Sequence, residues 1–418
     1  MKKIYNLLTK ASTPVLKILG MVNPKIKSFV DGRAHVFEDL TQAISSSEKY
    51  IWVHCASLGE YEQGLPIIQQ ICSDYPGYKI LLTFFSPSGY KVRHNSPYAH
   101  VVSYLPLDTP NNAKRFIELT NPVMAIFVKY EFWPNYFDQL KQRSIPTLLV
   151  SGVFRQDQAM FKSYGGWLKK SLSAVTHFFV QNETSKDLLT QLGYENVTLS
   201  GDTRFDRVSH QIEVDNRLEF MDHFAGEHFC IVIGSSWPED EAVFLEYLND
   251  TDHSRIRFVI APHEIEEAKI EKLIAKLKVP FIRYTQLEKN EIPKENVLIL
   301  DTIGLLTKVY SYAHIAYVGG AMGTSGLHNI LEPATFGIPI IIGKDYQKFP
   351  EAKKLRELAG LYSVSSSAEF ITATDRLIND DNLREKTGMI CGHFINSNTG
   401  ATRIVMNYIA QLHADGLV

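Results

Sequence analysis

Short apolar runs alternate along the chain with stretches of helical spacing. In the first half the runs are Tyr50–Cys55, Lys79–Phe84, Val101–Tyr104, Val123–Val128, Thr147–Ser151, His177–Val180 and Val197–Ser200. In the second half they are Phe229–Ile233, Arg257–Ala261, Phe281–Tyr284, Val297–Leu300, Ile315–Val318 and Pro339–Ile342. They are rich in Val, Ile, Leu and Phe and lack polar alternation. That pattern predicts strands buried on both faces, which means parallel sheet covered by helices. The stretch 202–227 is polar and charge-rich, and from Glu385 onward the spacing turns helical. The expected fold class is therefore α/β, with two doubly wound domains at 31–207 and 229–395, a linker at 208–228, and a helix at 396–418 that packs back on the first domain. In such sheets ligands bind beyond the carboxyl ends of the strands. With two halves facing each other, the cleft between them is the expected site.

Residues 1–30 break this pattern. Ile4, Leu7, Leu8, Ala11, Val15, Ile18, Leu19 and Val22 recur on one face at helical spacing. Lys2, Lys3, Lys10, Lys17, Lys25, Lys27 and Arg33 stand against one nearby acid, Asp31. Thr13-Pro14 predicts a cap and a fresh helix start. No uncharged run reaches the ~18 residues of a spanning helix. No small-residue cleavage site follows a clean apolar core, so no signal peptide is expected. A basic amphipathic segment suits the headgroup region of an anionic leaflet. The competing reading packs the stripe on the protein's own body.

Composition narrows the classes. A net charge of −3 gives no basic excess for nucleic acid. Cys55, Cys72, Cys230 and Cys391 are far apart and form no Cys-x-x-Cys pair, which fits a reducing compartment and argues against structural zinc. His54, His177, His263, His314 and His328 show no His-x-x-x-His spacing, so no metal is expected.

The chemistry-bearing stretches fall at strand ends. In "AYVGGAMGTSGLHNILEPATFGIPIIIG", Ala316 to Gly343, a strand ends in Gly319-Gly320 and a loop follows, Gly323-Thr324-Ser325-Gly326. A helix is predicted from near His328 to just before Gly337. Such a loop offers free N–H groups and a helix dipole to a phosphate. Asn329 and Glu332 fall in the first turn, where a carboxylate could accept from ribose hydroxyls. The same residues equally describe a plain strand–loop–helix connection whose Glu332 complements the dipole. No Gly-Lys-Ser/Thr element is present and no Gly-x-Gly-x-x-Gly follows the first strand, which weakens ATPase and dinucleotide readings. "GSSWPEDE" sets Ser235 and Ser236 before Pro238, either for a phosphate or sugar or for simple capping. In "HCASLGEYEQGLPII", Ser57, Gly59 and Glu60 lie between strand and helix, and Glu62 would point about 200° round that helix from Glu60. Lys129-Tyr130-Glu131 ends another strand; for both Glu60 and Glu131 the plainer reading is a first-turn or capping acid. "SGVFRQDQ" delivers Arg155 and "SGDTRFD" delivers Arg204, guanidiniums suited to an anionic substrate.

These stretches together resemble the 3-deoxy-D-manno-octulosonic acid (Kdo) transferase family. "HCASLGE", "YEFWPNYF", "QNE", "SGDTRFD", "DTIGLL" and "YVGGAMGTSGLHNILEPATFGIPIIIG" come in that family's order, from about Tyr50 to Gly343. The resemblance implies two Rossmann-like domains facing a central cleft, the GT-B glycosyltransferase architecture. It implies an inverting, metal-independent transfer of Kdo from the donor substrate CMP-Kdo to a lipid A precursor (lipid IVA), with no cofactor. The expected place is the cytoplasmic face of the inner membrane of Gram-negative bacteria, with residues 1–30 on the leaflet. Glu60, in Ser-x-Gly-Glu, would be the general base, and Glu131, in Glu-Phe-Trp-Pro, a second active-site carboxylate. Ser57 and Gly59 would lie on the acceptor side. Ser235, Ser236, His263, Gly323, Thr324, Ser325, Asn329 and Glu332 would hold the nucleotide sugar, and Arg155 and Arg204 its anionic groups.

Three places depart from the family pattern. Ala261-Pro262-His263-Glu264 stands where Pro-Arg-His is usual, Arg204 replaces a Lys, and "GSSWPEDE" lacks a nearby His. The alternatives are a transferase of the same fold using a UDP-sugar, or a bilobal sugar-binding protein without catalysis.

Overall fold

The apolar runs of the first half become seven strands: β1 (Lys49–Cys55), β2 (Tyr78–Phe84), β3 (Val101–Tyr104), β4 (Met124–Val128), β5 (Thr147–Gly152), β6 (His177–Val180) and β7 (Val197–Leu199). Those of the second half become β8 (Phe229–Ser236), β9 (Ile256–Pro262), β10 (Phe281–Arg283), β11 (Val297–Ile299), β12 (Ile315–Val318) and β13 (Ile340–Ile342), followed by β14 (Leu361–Ser363). The computed structural model describes residues 1–250, 255–287 and 293–418. Every strand pairing is parallel, in the orders β3-β2-β1-β4-β5-β6-β7 and β10-β11-β9-β8-β12-β13-β14. Two doubly wound units result, one of Met1–Arg207 with Thr399–Val418, the other of Val208–Asn398.

Alternation along the strands builds a core on each face of a sheet. In β1, Tyr50 and Trp52 enter one core with Phe116, Phe127 and Tyr136. Ile51 and Val53 enter the other with Ile68 and Ile71 of the Leu58–Asp74 helix. The Ala401–Ala414 helix adds Val405, Met406, Ile409 and Leu412 to that second core. Its start is fixed by Asp206, whose carboxylate accepts from the amides of Gly400 and Thr402 at 2.5 and 2.7 Å.

The Lys2–Gly20 helix is mounted the other way round. Its polar face is fastened to the first unit: Tyr5 donates to Asp108 at 2.7 Å, Asn135 donates to Asn6 at 2.9 Å, and Lys2 pairs with Asp138. Ile4, Leu7, Leu8, Val15, Ile18 and Leu19 face outward and are exposed. The stripe therefore does not pack on the protein's own body. Among the described residues no helix is long and apolar enough to cross a membrane.

Three expectations are corrected. The helix runs through Pro14 instead of restarting there; the lost backbone bond is tolerated because Lys10 and Pro14 are both exposed, leaving the freed carbonyl to solvent. The stretch 208–228, read as a linker, contains the Glu219–Ala225 helix, whose Met221, Phe224 and Ala225 enter the core of the second unit. Strand β14 was not foreseen; three residues at a sheet edge, just after the left-handed Ala359, give no apolar run to read.

Candidate functional site

In each sheet the chain starts at a central strand and winds outward in both directions. The reversal lies between β1 and β4 in the first unit and between β8 and β12 in the second. Such switch points leave a crevice beyond the strand ends where ligands bind. Three non-glycine residues at strand ends take left-handed backbone: Lys129 (φ 75°) after β4, Ser151 (φ 52°) in β5 and Ser235 (φ 54°) in β8. Each such residue costs roughly 1–3 kcal/mol, and such residues concentrate at functional sites.

In the first unit, β1 delivers the chain to Ser57, the cap of the Leu58–Asp74 helix, and Glu60 sits in its first turn at 8% exposure. Ser57 makes no capping bond to the helix backbone; its hydroxyl donates instead to the Glu60 carboxylate. The turned-back Lys129 brings its ammonium to 3.7 Å from the other carboxylate oxygen. Glu62 is consumed elsewhere, between Arg93 at 2.9 Å and Arg207 at 3.0 Å. Gly59 is exposed beside Glu60.

Glu131, after β4, lies 3.8 Å from His54 Nε2. The fully buried His54 is not free to act as a base. The indole N–H of Trp133 donates to its Nε2 at 3.1 Å, and an indole nitrogen can only donate. Nδ1 therefore carries the proton and donates to Thr83 Oγ1 at 2.9 Å. His54 thus braces the Glu131–Trp133 turn.

The two arginines differ. Arg155 is exposed, 3.7 Å from Asp157 and over the ring of Tyr130. Arg204 is drawn onto the buried Asp202, with Nε and a terminal nitrogen each 2.8 Å from Oδ2.

In the second unit the residues at the ends of β8 and β12, Ser235, Ser236, Gly319 and Gly320, are neutral and small. Asp240, fully buried, organises them: its carboxylate accepts from the amides of Trp237 and Gly320 at 2.9 and 2.8 Å and from the Tyr317 hydroxyl at 2.9 Å. Burial pushes this carboxyl up, and those donors pull against it. A Cβ on Gly319 would meet the Ser235 carbonyl oxygen, and one on Gly320 (φ 94°) the Gly326 carbonyl oxygen, so both positions require glycine. Ser235 and Ser236 end β8, and the Ser236 hydroxyl is buried with no hydrogen-bond partner among the described residues. Gly323, Thr324 and Ser325 form the loop beyond β12, the last two exposed.

His263 stacks on Trp237, ring centroids 4.6 Å apart, and lies tilted against His328 at 4.3 Å. Trp237 Nε1 donates to His328 Nε2 at 2.9 Å. Burial lowers both imidazoles, His328 to about 4. The helix predicted from His328 begins at Leu331 and ends at Thr335. His328 is held by its amide on the Gly319 carbonyl, and Asn329 caps Leu331, which delays the first turn. Glu332 accepts from Asn329 at 3.1 Å and Thr307 at 3.1 Å.

Sequence reasoning missed Lys129, Trp133, Trp237 and Asp240. Lys129 and Trp133 flank the singled-out Glu131 and Trp237 follows Ser236, whereas Asp240 stands four residues beyond it.

A family model described as 3-deoxy-D-manno-octulosonic-acid transferase matches residues 32–207. A 3-deoxy-D-manno-octulosonic acid transferase of Haemophilus influenzae is 28% identical over 409 residues, covering 94% of each chain. The chain is thus similar to the Kdo transferases, through the family model over residues 32–207 and through this relative over most of its length. A bifunctional glycosyltransferase/methyltransferase of Fusobacterium nucleatum is 27% identical over 92% of this chain, which spans 60% of that longer protein. The UDP-GlcNAc 2-epimerase of Neisseria meningitidis superimposes with a TM-score of 0.61 at 15% identity, over 87% of this chain and 100% of the epimerase. The fold is the GT-B architecture, two Rossmann-like units.

Proposed function

We propose that the protein transfers Kdo from CMP-Kdo to a lipid A precursor with inversion at the anomeric carbon. The observation that carries this reading is the contrast between two neighbouring acids. Glu60 is held by Ser57 at the switch point with Lys129 beside it, while Glu62 is spent on two arginines.

An acceptor hydroxyl is a poor nucleophile at neutral pH and needs a carboxylate to take its proton as the new bond forms. Glu60 is that base. The acceptor oxygen bonds to the anomeric carbon, the bond from that carbon to the CMP phosphate oxygen breaks, and its electron pair leaves with CMP. Lys129 keeps the Glu60 oxygens aimed and balances their charge, and Glu131 holds the acceptor. The second unit receives CMP: Glu332 and Asn329 at the ribose, and the Gly323–Ser325 loop with Ser235 and Ser236 at the phosphate. Backbone amides and hydroxyls there stabilise a leaving group that already carries charge. This reading assigns the reaction no metal.

The outward apolar stripe of the Lys2–Gly20 helix supports attachment to an anionic leaflet. Deleting residues 1–24 is expected to abolish flotation with anionic vesicles while the body stays folded; undiminished flotation would remove the anchor. The decisive experiment for function is mass spectrometry of the product from CMP-Kdo and a lipid A precursor. A product heavier by one or more Kdo residues, with CMP released, is expected. Transfer only from a UDP-sugar would overturn the reading.

A further inference from the structure

A cavity of about 1010 Å³ opens in the first unit, at the upper end of small-molecule sites. Leu16, Ile26, Phe29, Phe85, Leu107 and Trp133 give it an apolar lining. The wall is fixed in advance by Arg33. Its guanidinium donates to the carbonyls of Phe29, Leu105 and Phe85 at 3.0, 3.0 and 2.5 Å, and lies 3.8 and 4.8 Å from the rings of Phe29 and Phe85. A cation held by three carbonyls and the rings of Phe29, Phe85 and Tyr104 fixes this wall.

Two further observations say what the cavity receives. Trp133 forms its wall and also donates to His54, 3.8 Å from Glu131, so one side chain borders both the apolar space and the carboxylate site. Lys25 and Lys91, both exposed, line it as well and offer positive charge to an anionic headgroup. Leu16 lines it from the Lys2–Gly20 helix, while Ile4, Leu7, Leu8, Val15, Ile18 and Leu19 of that helix are exposed and do not fill it.

We infer that this cavity holds an acyl chain of the anionic, lipid-borne acceptor, with Lys25 and Lys91 at its headgroup charge. The inference rests on the Kdo-transfer reading for the identity of the acceptor. The occupant is a substrate chain, not a bulk membrane lipid.

The test uses the full chain in detergent-free buffer and two space-filling variants, Ser12→Phe and Ser28→Phe, which both project from lining positions. Dibromostearate is expected to quench wild-type tryptophan fluorescence through Trp133, with acetate inert, and each variant is expected to weaken this at least about tenfold. The ratio of kcat/KM for the acylated acceptor to that for its alkali-deacylated form is expected to fall about tenfold in the variants. No quenching of the wild-type protein overturns the inference, whether or not Kdo is transferred. An unchanged ratio with diminished vesicle flotation also overturns it, because the cavity would then serve bulk lipid. Quenching that the variants abolish, in a protein that transfers no Kdo, keeps the acyl-chain site and fells the acceptor assignment with the reading beneath it.

Discussion

The two strand-end sites occupy the same place in the same topology, yet they are built from opposite materials. The first unit gathers charge: Glu60, Glu131 and Lys129 around β1 and β4. The second gathers glycine, serine and the rings of Trp237, His263 and His328 around β8, β9 and β12, with the buried carboxylate of Asp240 spent on holding the loop. A doubly wound sheet supplies only the crevice. The residue types at the strand ends decide whether it moves protons or cradles a polar ligand by its backbone.

That contrast can be broken from either side. The largest effect is expected from Glu60→Gln: turnover lowered roughly 10²–10⁴-fold with an unchanged thermal midpoint, measured by initial rates. Near-normal rates would strip the first site of its base. Next comes Asp240→Ala, which strands the donors of Trp237, Gly320 and Tyr317. Unfolding in urea should show about 3 kcal/mol lost, with CMP affinity falling in parallel; a stable variant would mean the loop holds itself. Glu332→Ala should weaken CMP binding about tenfold without loss of stability, and an unaltered calorimetric affinity would exclude the ribose contact.

The smallest effect is a pH dependence confined to the second site. Burial lowers His328 to about 4 and His263 below its ordinary value of 6.5. The unfolded chain then binds protons first, so the stability these neutral rings provide is full above about pH 6.5 and falls as pH drops toward 4. Urea midpoints should decline across that window, and His328→Gln should flatten the slope. An equal slope in the variant would place the acid sensitivity elsewhere.

Much of this was legible in the sequence because parallel strands buried on both faces announce themselves as unbroken apolar runs. Ile315–Val318 and His177–Val180 were readable to the residue. The partner choices were not. Nothing local distinguishes an Arg204 turned onto Asp202, two residues before it, from one left for substrate. Nothing local distinguishes a Glu62 held by Arg207 from a Glu60 held by Ser57. Helix starts were misjudged where a tertiary bond competes, as at His328, whose amide goes to Gly319 before any turn can form. Lys129 was passed over because a left-handed turn at a lysine has no sequence signature.

The outward stripe of the first helix has a further consequence. Because Lys2, Tyr5 and Asn6 clamp the opposite side to Asp138, Asp108 and Asn135, the helix cannot spin about its own axis. Laid on a plane, the first unit would have its roll and its height above that plane set, with only its compass heading free. A search for a lipid-borne partner would then be two-dimensional, at one constant altitude, so that each encounter tests heading alone.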